Sequence, residues 1–565
     1  MGTEGTSIPP PSVRQSRPSI PPPSVPPVLP PSKDPPPPAH ESKLDSVVEV
    51  VTGKIGIPLD SWAVAATLES TGMRDVDAVE KYGYPNLFGL AGDVYDLIMK
   101  DPPAVEAPPD EKAEEVRRDR WRRFARHLFE GSFFAMPMLG QIACILVTRY
   151  SLWASLDFTE MQATLIGLGT VASFAITGGV VMTIGRQGTV YRGMKAYTLL
   201  AKVCRRLVAL GLVLALLVWV VAAVLNCVVP FLGAWAFATA SLYYIALCAM
   251  WLSLGLLYML GKHAWSFGVT FCCGLLVAVQ VRVFGLDVEW SQLSSIALAS
   301  VLAFSVAART IRKLVPDEDA KQTVAPLPPP DVAAGILAPF AVYGLGYFTF
   351  LFADRLIAWT APGRPLPMPV WFHTPYELGM DWALMSLLVP MAYLEHVIHE
   401  FAPRIVREQD ETIYRAVGTH RRSMMAFGSR SFVIVVVFSI VSVLVTYWGI
   451  SALKAFDDVK EIRDFFASDT TEWVFWFAAA GYQLLTWALM VGLLYFTLAR
   501  GLVVVREMWR CLAVGAVVGF TASRLAGPEW AVLGFTAGTL YFAAGMIRHG
   551  VILTKRIDYY YYSAF

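Results

Sequence analysis

Twelve stretches of mostly apolar residues recur along this chain, near 132–154, 161–184, 207–230, 234–260, 264–285, 289–308, 333–358, 381–401, 430–452, 472–499, 508–525 and 529–547. About 20 such residues cross roughly 30 Å of hydrocarbon as an α-helix, and in lipid each helix satisfies its own backbone hydrogen bonds. The pattern predicts an all-α polytopic membrane protein of about 12 transmembrane helices. With 55% hydrophobic and only 16% charged residues in 565, an ordinary water-soluble protein is excluded. The net charge of +1 points to no particular partner, and no nucleic acid is expected.

Orientation follows from the basic residues, which collect in cytoplasmic loops. The first residues are polar and proline-rich rather than a signal peptide, so the amino terminus is expected in the cytoplasm. On that assignment the inner segments hold 30 Lys and Arg against 7 at the outer ends and loops. Shifting the count by one span would spoil the alternation, so both termini are expected inside. All seven cysteines lie within or beside apolar spans without metal-ligand spacing, and read as small core residues.

Composition divides the chain further. Residues 1–42, with PPPSVPPVLPPSKDPPPP, form a proline-rich tail that builds no hydrogen-bonded core. Residues 43–100 read as a small cytoplasmic helical module, with helices at SWAVAATLES, DVDAVEKYG and NLFGLAGDVYDLIMK, N-caps at Ser61 and Asp75, and stops at Gly72 and Gly83. Residues 101–130 are an acidic, proline-containing linker and a basic juxtamembrane helix, RRDRWRRFARH, suited to anionic membrane lipids. Two six-span lobes follow, 131–310 and 332–565, joined by a polar linker at 311–331. The segment 402–430 reads as a helix lying on the cytoplasmic surface.

Charges inside spans mark where function is to be sought, because an ionised side chain at the bilayer centre costs roughly 2.5–3.5 kcal/mol on insertion scales. The seventh span carries Asp354 and Arg355, with Tyr343, Tyr347 and Asp354 on one helical stripe. Either this pair snorkels to the outer surface near Trp359, or it lines a watery passage. The eighth carries Glu395 and His399 on one face at i, i+4, and His396 and Glu400 on the next.

Enzyme signatures are missing: no HExxH, no DDxxD pair and no phosphate loop, so no catalytic residue and no cofactor is expected. A metal on EHVIHE is conceivable, but no second histidine-rich span completes a shell, so a satisfied interfacial cluster is expected and no metal. Asp457 and Asp458, beside Lys454 and Lys460, read as solvated surface.

The carboxy-terminal half carries more specific strings. FADRLIAW, TPYELGMD, VPMAYL and the Glu400-Phe401 pair follow in order, then AAGYQLLTWALMVGLLYFTLAR with Gly481, Gln483, Leu494, Tyr495 and Phe496, and a final RIDYYYYSAF. Over residues 333–565 this resembles PelG, the inner-membrane transporter family of the Pel exopolysaccharide system. Pro375, Tyr376 and Glu377 stand where that family has Pro-Tyr-Asp. Residues 132–310 agree only in span count and in the basic loop GRQGTVYRGMKAYTLLAKVCRR, and residues 1–130 have no counterpart.

The resemblance implies a member of the multidrug/oligosaccharidyl-lipid/polysaccharide (MOP) exporter superfamily, with two six-helix lobes around a V-shaped cavity, in a bacterial inner membrane. It implies export of a cationic, amino-sugar-rich polysaccharide or a lipid-linked sugar by alternating access, beside a cytoplasmic glycosyltransferase and further membrane subunits. Asp354, Glu395 and Glu400 would face the sugar amines, with Tyr343 and Tyr347 offering stacking faces; Arg355, His399 and Gln483 complete the candidate path. The alternative is a non-transporting membrane scaffold whose cytoplasmic part recruits the glycosyltransferase.

Overall fold

The computed structural model describes residues 41–55, 58, 60–100, 110–133, 136–315, 328–361, 370–411, 417–454 and 468–557. The proline-rich tail, the Asp457-Asp458 pair and the aromatic carboxy-terminal string lie outside them, as does most of the inter-lobe linker. Among the described residues the chain is helical, apart from turns and an isolated bridge between Tyr150 and Ser155. It divides into two compact units, residues 1–107 and 108–565.

The smaller unit is four helices: α1 (Glu41–Ile55), α2 (Ser61–Ser70), α3 (Asp75–Tyr82) and α4 (Leu87–Lys100). Val51, Val64, Leu68, Leu90 and Val94 are fully buried between them. The expected caps move by one residue. Asp60, not Ser61, caps α2 by accepting from the Ala63 N–H at 2.8 Å, and Arg74 precedes α3. Asp75 instead accepts from the Leu87 N–H at 2.8 Å and opens α4, because its carboxylate reaches across the turn. Gly72 and Gly83 stop their helices at φ of 91° and 74°, left-handed backbone that favours glycine.

In the larger unit every predicted span has its helix. The order is α5 (Asp110–Ser132), α6 (Met136–Thr148), α7 (Glu160–Gly193), α8 (Tyr197–Val228), α9 (Ala234–Met259), α10 (His263–Phe284), α11 (Val288–Leu314), α12 (Pro330–Trp359), α13 (Thr374–Met385), α14 (Leu388–Glu411), α15 (Val417–Lys454), α16 (Asp469–Thr497), α17 (Gly501–Leu525) and α18 (Val532–Lys555). Nine described helices are each long and apolar enough to cross a membrane, and α5 with α6, bent by 55°, makes a tenth. Two predicted spans differ for visible reasons. The eighth is broken into α13 and α14, and the eleventh, α17, carries Arg506, Glu507 and Arg510.

One expected loop is corrected. The basic loop after the second span shrinks to Met194–Ala196, since α7 and α8 extend through nearly all of it. The stretch 402–430 is helical where it is described, as the end of α14 and the start of α15. All seven cysteines are free thiols; five are buried, while Cys227 and Cys272 are exposed on helix flanks rather than in the core.

Helices α6–α11 enclose one core, with Tyr243, Leu247, Met250 and Leu257 fully buried, and α12–α18 another, with Tyr376, Tyr482, Tyr495 and Phe542. Burial of the apolar window ranges from 72% in α16 to 17% in α8. So α16 is a central post of the second lobe, and α8 turns Leu216, Val220 and Val224 outward, as a lipid-facing helix must.

The lobes meet along α7 and α12. Gly178 and Gly179 face Ala341, Gly344 and Phe348, with backbones so close that a Cβ on Gly344 would lie 2.5 Å from the Gly178 carbonyl oxygen. Phe174 stacks on Phe348 at 5.6 Å and on Phe352 at 5.4 Å. At the Trp359 end the indole covers Gly167, and the Phe372 N–H donates to Thr164 Oγ1 at 2.9 Å. Toward the opposite end Arg186 lies over the Phe340 ring at 5.3 Å. Small residues at the crossing allow the close helix contact that drives association where lipid supplies no hydrophobic force.

Candidate functional site

The break between α13 and α14 begins with Pro390. A proline has no N–H and its ring crowds the carbonyl four residues back, here Ser386. The chain answers with tightened turns, Ser386 N–H to the Ala383 carbonyl at 3.0 Å and Leu387 N–H to Leu384 at 3.1 Å. Gln483 of α16 then supplies the missing donor. Its Nε2 donates to the Ser386 carbonyl at 3.2 Å and to Ser386 Oγ at 2.8 Å, in a buried position. The predicted path residue Gln483 thus holds a discontinuous helix in place. Gln483→Leu is expected to destabilise the purified protein by about 1–3 kcal/mol, the cost of leaving a buried acceptor unmade, read by thermal unfolding in detergent.

The first turns of α13 set their acids against α12. Arg355 Nη1 donates to Glu377 Oε2, and Nη2 to Asp381 Oδ1 at 2.8 Å. Trp359 Nε1 donates to Glu377 Oε1 at 2.7 Å, and the Tyr376 hydroxyl to Asp354 Oδ2 at 2.6 Å. The guanidinium also lies 5.6 Å from the Phe352 ring centroid. Asp354 and Glu377 are each 3% exposed and Arg355 7%. Neither alternative is seen as expected: Arg355 finds carboxylates on α13 instead of reaching water, and the pair is buried rather than lining an open passage. Asp354 Oδ1 and the Tyr482 hydroxyl, both buried, have no hydrogen-bond partner among the described residues.

The other predicted residues fall into two separate groups. Tyr343 and Tyr347 stack on each other at 5.9 Å, but against Phe496 and Phe348, while the hydroxyl that reaches Asp354 comes from Tyr376. Glu395 and His399 pair at 3.0 Å as their spacing predicts. They do so beside α5, whose Gly131 packs on Ala392 and Glu395. Glu400 has Arg123 Nε at 4.0 Å.

Sequence reasoning missed Asp381 as a partner of Arg355, placing it only as the start of a span. It also missed Glu507, an acid inside an apolar helix, buried with Arg510 Nη1 at 3.0 Å and His549 Nε2 at 3.7 Å. The acid in an otherwise greasy run was the available signal.

No family model and no curated protein matches the sequence. Solved structures do match the fold. A mutant of the MATE transporter VcmN from Vibrio cholerae superposes with a TM-score of 0.53 at 13% identity, covering 78% of this chain and 98% of its own. A MOP superfamily transporter from Pyrococcus furiosus gives 0.51 at 10% identity, covering 77% and 96%. At these identities the likeness is one of fold: two lobes of membrane helices arranged as in those transporters.

Proposed function

We propose that this protein is a membrane transporter that exports a polysaccharide or a lipid-linked sugar by alternating access of its two lobes. The observation that carries the reading is the Asp354 cluster, a buried acid with an unpartnered oxygen beside a broken helix. Discontinuous helices near the middle of a transporter lobe commonly supply binding groups, because their freed backbone and side chains turn inward. The fold shared with MATE and MOP transporters supports the reading in kind. The strings that resemble the Pel transporter support it in substrate, which would be a cationic amino-sugar polymer in a bacterial inner membrane.

In this reading Asp354 Oδ1 accepts a sugar amine or hydroxyl, Tyr376 orients the carboxylate, and Arg355 with Glu377 fixes α13 against α12. Tyr343 and Tyr347 offer faces for sugar rings further along α12, and Glu395 with His399 acts at the inner end. The cytoplasmic unit would meet the glycosyltransferase that makes the polymer.

The test is made in the host. Deletion of the gene is expected to abolish extracellular amino-sugar polysaccharide and raise the intracellular pool, with wild type restoring export. Asp354→Asn, at normal membrane level, is expected to cut export at least about tenfold, the rate cost of one interaction of about 1.4 kcal/mol. Secretion unchanged on deletion would sink the transport reading and return the scaffold.

A further inference from the structure

Helix α5 brings a third histidine to the pair on α14. His127 Nδ1 lies 3.3 Å from His396 Nδ1, and Glu400, one turn beyond His396, places a carboxylate oxygen so that the three ligand atoms lie within 4.8 Å of one another. We propose that His127, His396 and Glu400 form a binding site for a divalent cation of the zinc class, which clips the juxtamembrane helix α5 onto α14.

The nitrogen–nitrogen distance is the first argument. It is at the long end for a hydrogen bond between two ring nitrogens. Two imidazole nitrogens bound to tetrahedral zinc at about 2.0–2.1 Å are set about 3.3 Å apart, so the observed separation matches a shared ligand sphere. Chemistry is the second. Two imidazoles and one carboxylate suit zinc and its neighbours, whereas magnesium and calcium take oxygen ligands.

Support around the site is the third argument. His396 is held edge-on by Phe124 at 4.9 Å and has Tyr393 at 5.8 Å. His127 is stacked on His399 at 4.7 Å, whose Nε2 is engaged by Glu395. His399 therefore fixes a ring plane rather than supplying a ligand. Three protein ligands leave the fourth position to water. Arg123, 4.0 Å from Glu400, offsets part of the carboxylate's charge and makes it the weakest of the three. The sequence showed only half of this, because His127 sits in a stretch whose arginines read as a lipid anchor.

The test uses full-length protein in detergent, purified with a tag that contains no histidine and stripped with chelator. Titration with Co²⁺ is expected to give the ligand-field absorption of a tetrahedral site at one equivalent, displaced by Zn²⁺ and not by Mg²⁺. His127→Gln and His396→Gln are each expected to weaken Co²⁺ binding more than about a hundredfold, beyond the usual cost of an outer-shell partner. His549→Gln, outside the cluster, should bind as wild type. Should the glutamine variants unfold, His127→Cys keeps a ligand and is expected to add a thiolate-to-Co²⁺ charge-transfer band. Absence of a saturable site in folded wild type, a wild-type titration in His127→Gln, or a folded His127→Cys without that band would each overturn the proposal. The readout is metal binding alone, so it stands or falls separately from export.

Discussion

Arg355→Met is expected to cost about 3–5 kcal/mol of stability, the range for breaking a buried ion pair by removing one partner. The reason is asymmetric. Methionine fills the space of the alkyl stem, so packing in α12 changes little. Glu377, however, remains 3% exposed, with the Trp359 indole N–H as its one remaining side-chain hydrogen-bond donor among the described residues. Asp381 is less affected, because about half of its side chain reaches solvent. A second substitution separates charge from packing: Arg355→Met with Glu377→Gln removes the stranded carboxylate and is expected to recover part of the loss. Thermal unfolding of Arg355→Met, Glu377→Gln and the double variant, each referenced to wild type, gives the coupling between the two sites directly. Equal losses in the single and double variants would mean that the ion pair contributes nothing beyond its shape.

The same asymmetry bears on why the cluster exists. A buried ion pair adds little net stability over apolar residues of the same size, since desolvation offsets most of the attraction. Asp354, Arg355 and Glu377 are therefore not needed merely to hold α12 to α13. What they provide is a charged, hydrogen-bonded group fixed between α12 and the first turns of α13, with one carboxylate oxygen of Asp354 lacking a hydrogen-bond partner among the described residues. That is the arrangement expected of a site that changes partners, and it is why the export test centres on Asp354.

Much of the fold was legible because lipid leaves the backbone few choices. Ten of the twelve predicted spans answer to described helices long and apolar enough to cross a membrane, counting α5 with α6 as one, because runs of about 20 apolar residues mark them. Their ends are not marked, since helices such as α7 and α15 continue past the hydrocarbon where hydropathy carries no signal. The site was legible one strand of information at a time. Asp354 and Arg355 stood out as charges in a span, and Glu395 with His399 followed from i, i+4 spacing on one helix. Partners on other helices were invisible: Tyr376 and Asp381 meet α12 across 22 and 26 residues, and His127 meets His396 across 269. Pro390 was visible, but its consequence was not. Only the packing of α16 shows that Gln483 takes over the donor role that proline lacks.

Gly344→Leu is expected to be the most damaging small-to-large change on the seam between the lobes. The Cβ alone would sit 2.5 Å from the Gly178 carbonyl oxygen, and on the facing helix a Cβ at Gly179 would sit 2.6 Å from that of Ala341. Both obstacles are backbone, so no rotamer change relieves them, and α7 must move away from α12. Overpacking of a core typically costs about 1–3 kcal/mol, and this contact has no side chain that can yield, so a loss above that range is expected. Gly335→Leu is the control on the same helix: a Cβ there meets nothing within 4 Å, and its effect should stay within about 0.5 kcal/mol. Gly344→Ala should fall between them in thermal unfolding. Export assayed alongside extends the argument from stability to mechanism. If the lobes rock about the α7–α12 seam, alanine should impair export more than its loss of folded protein explains, because helices held apart cannot return to the closed contact. If export only tracks the amount of folded protein in the membrane, the seam is a static joint and the moving surface lies elsewhere between the lobes.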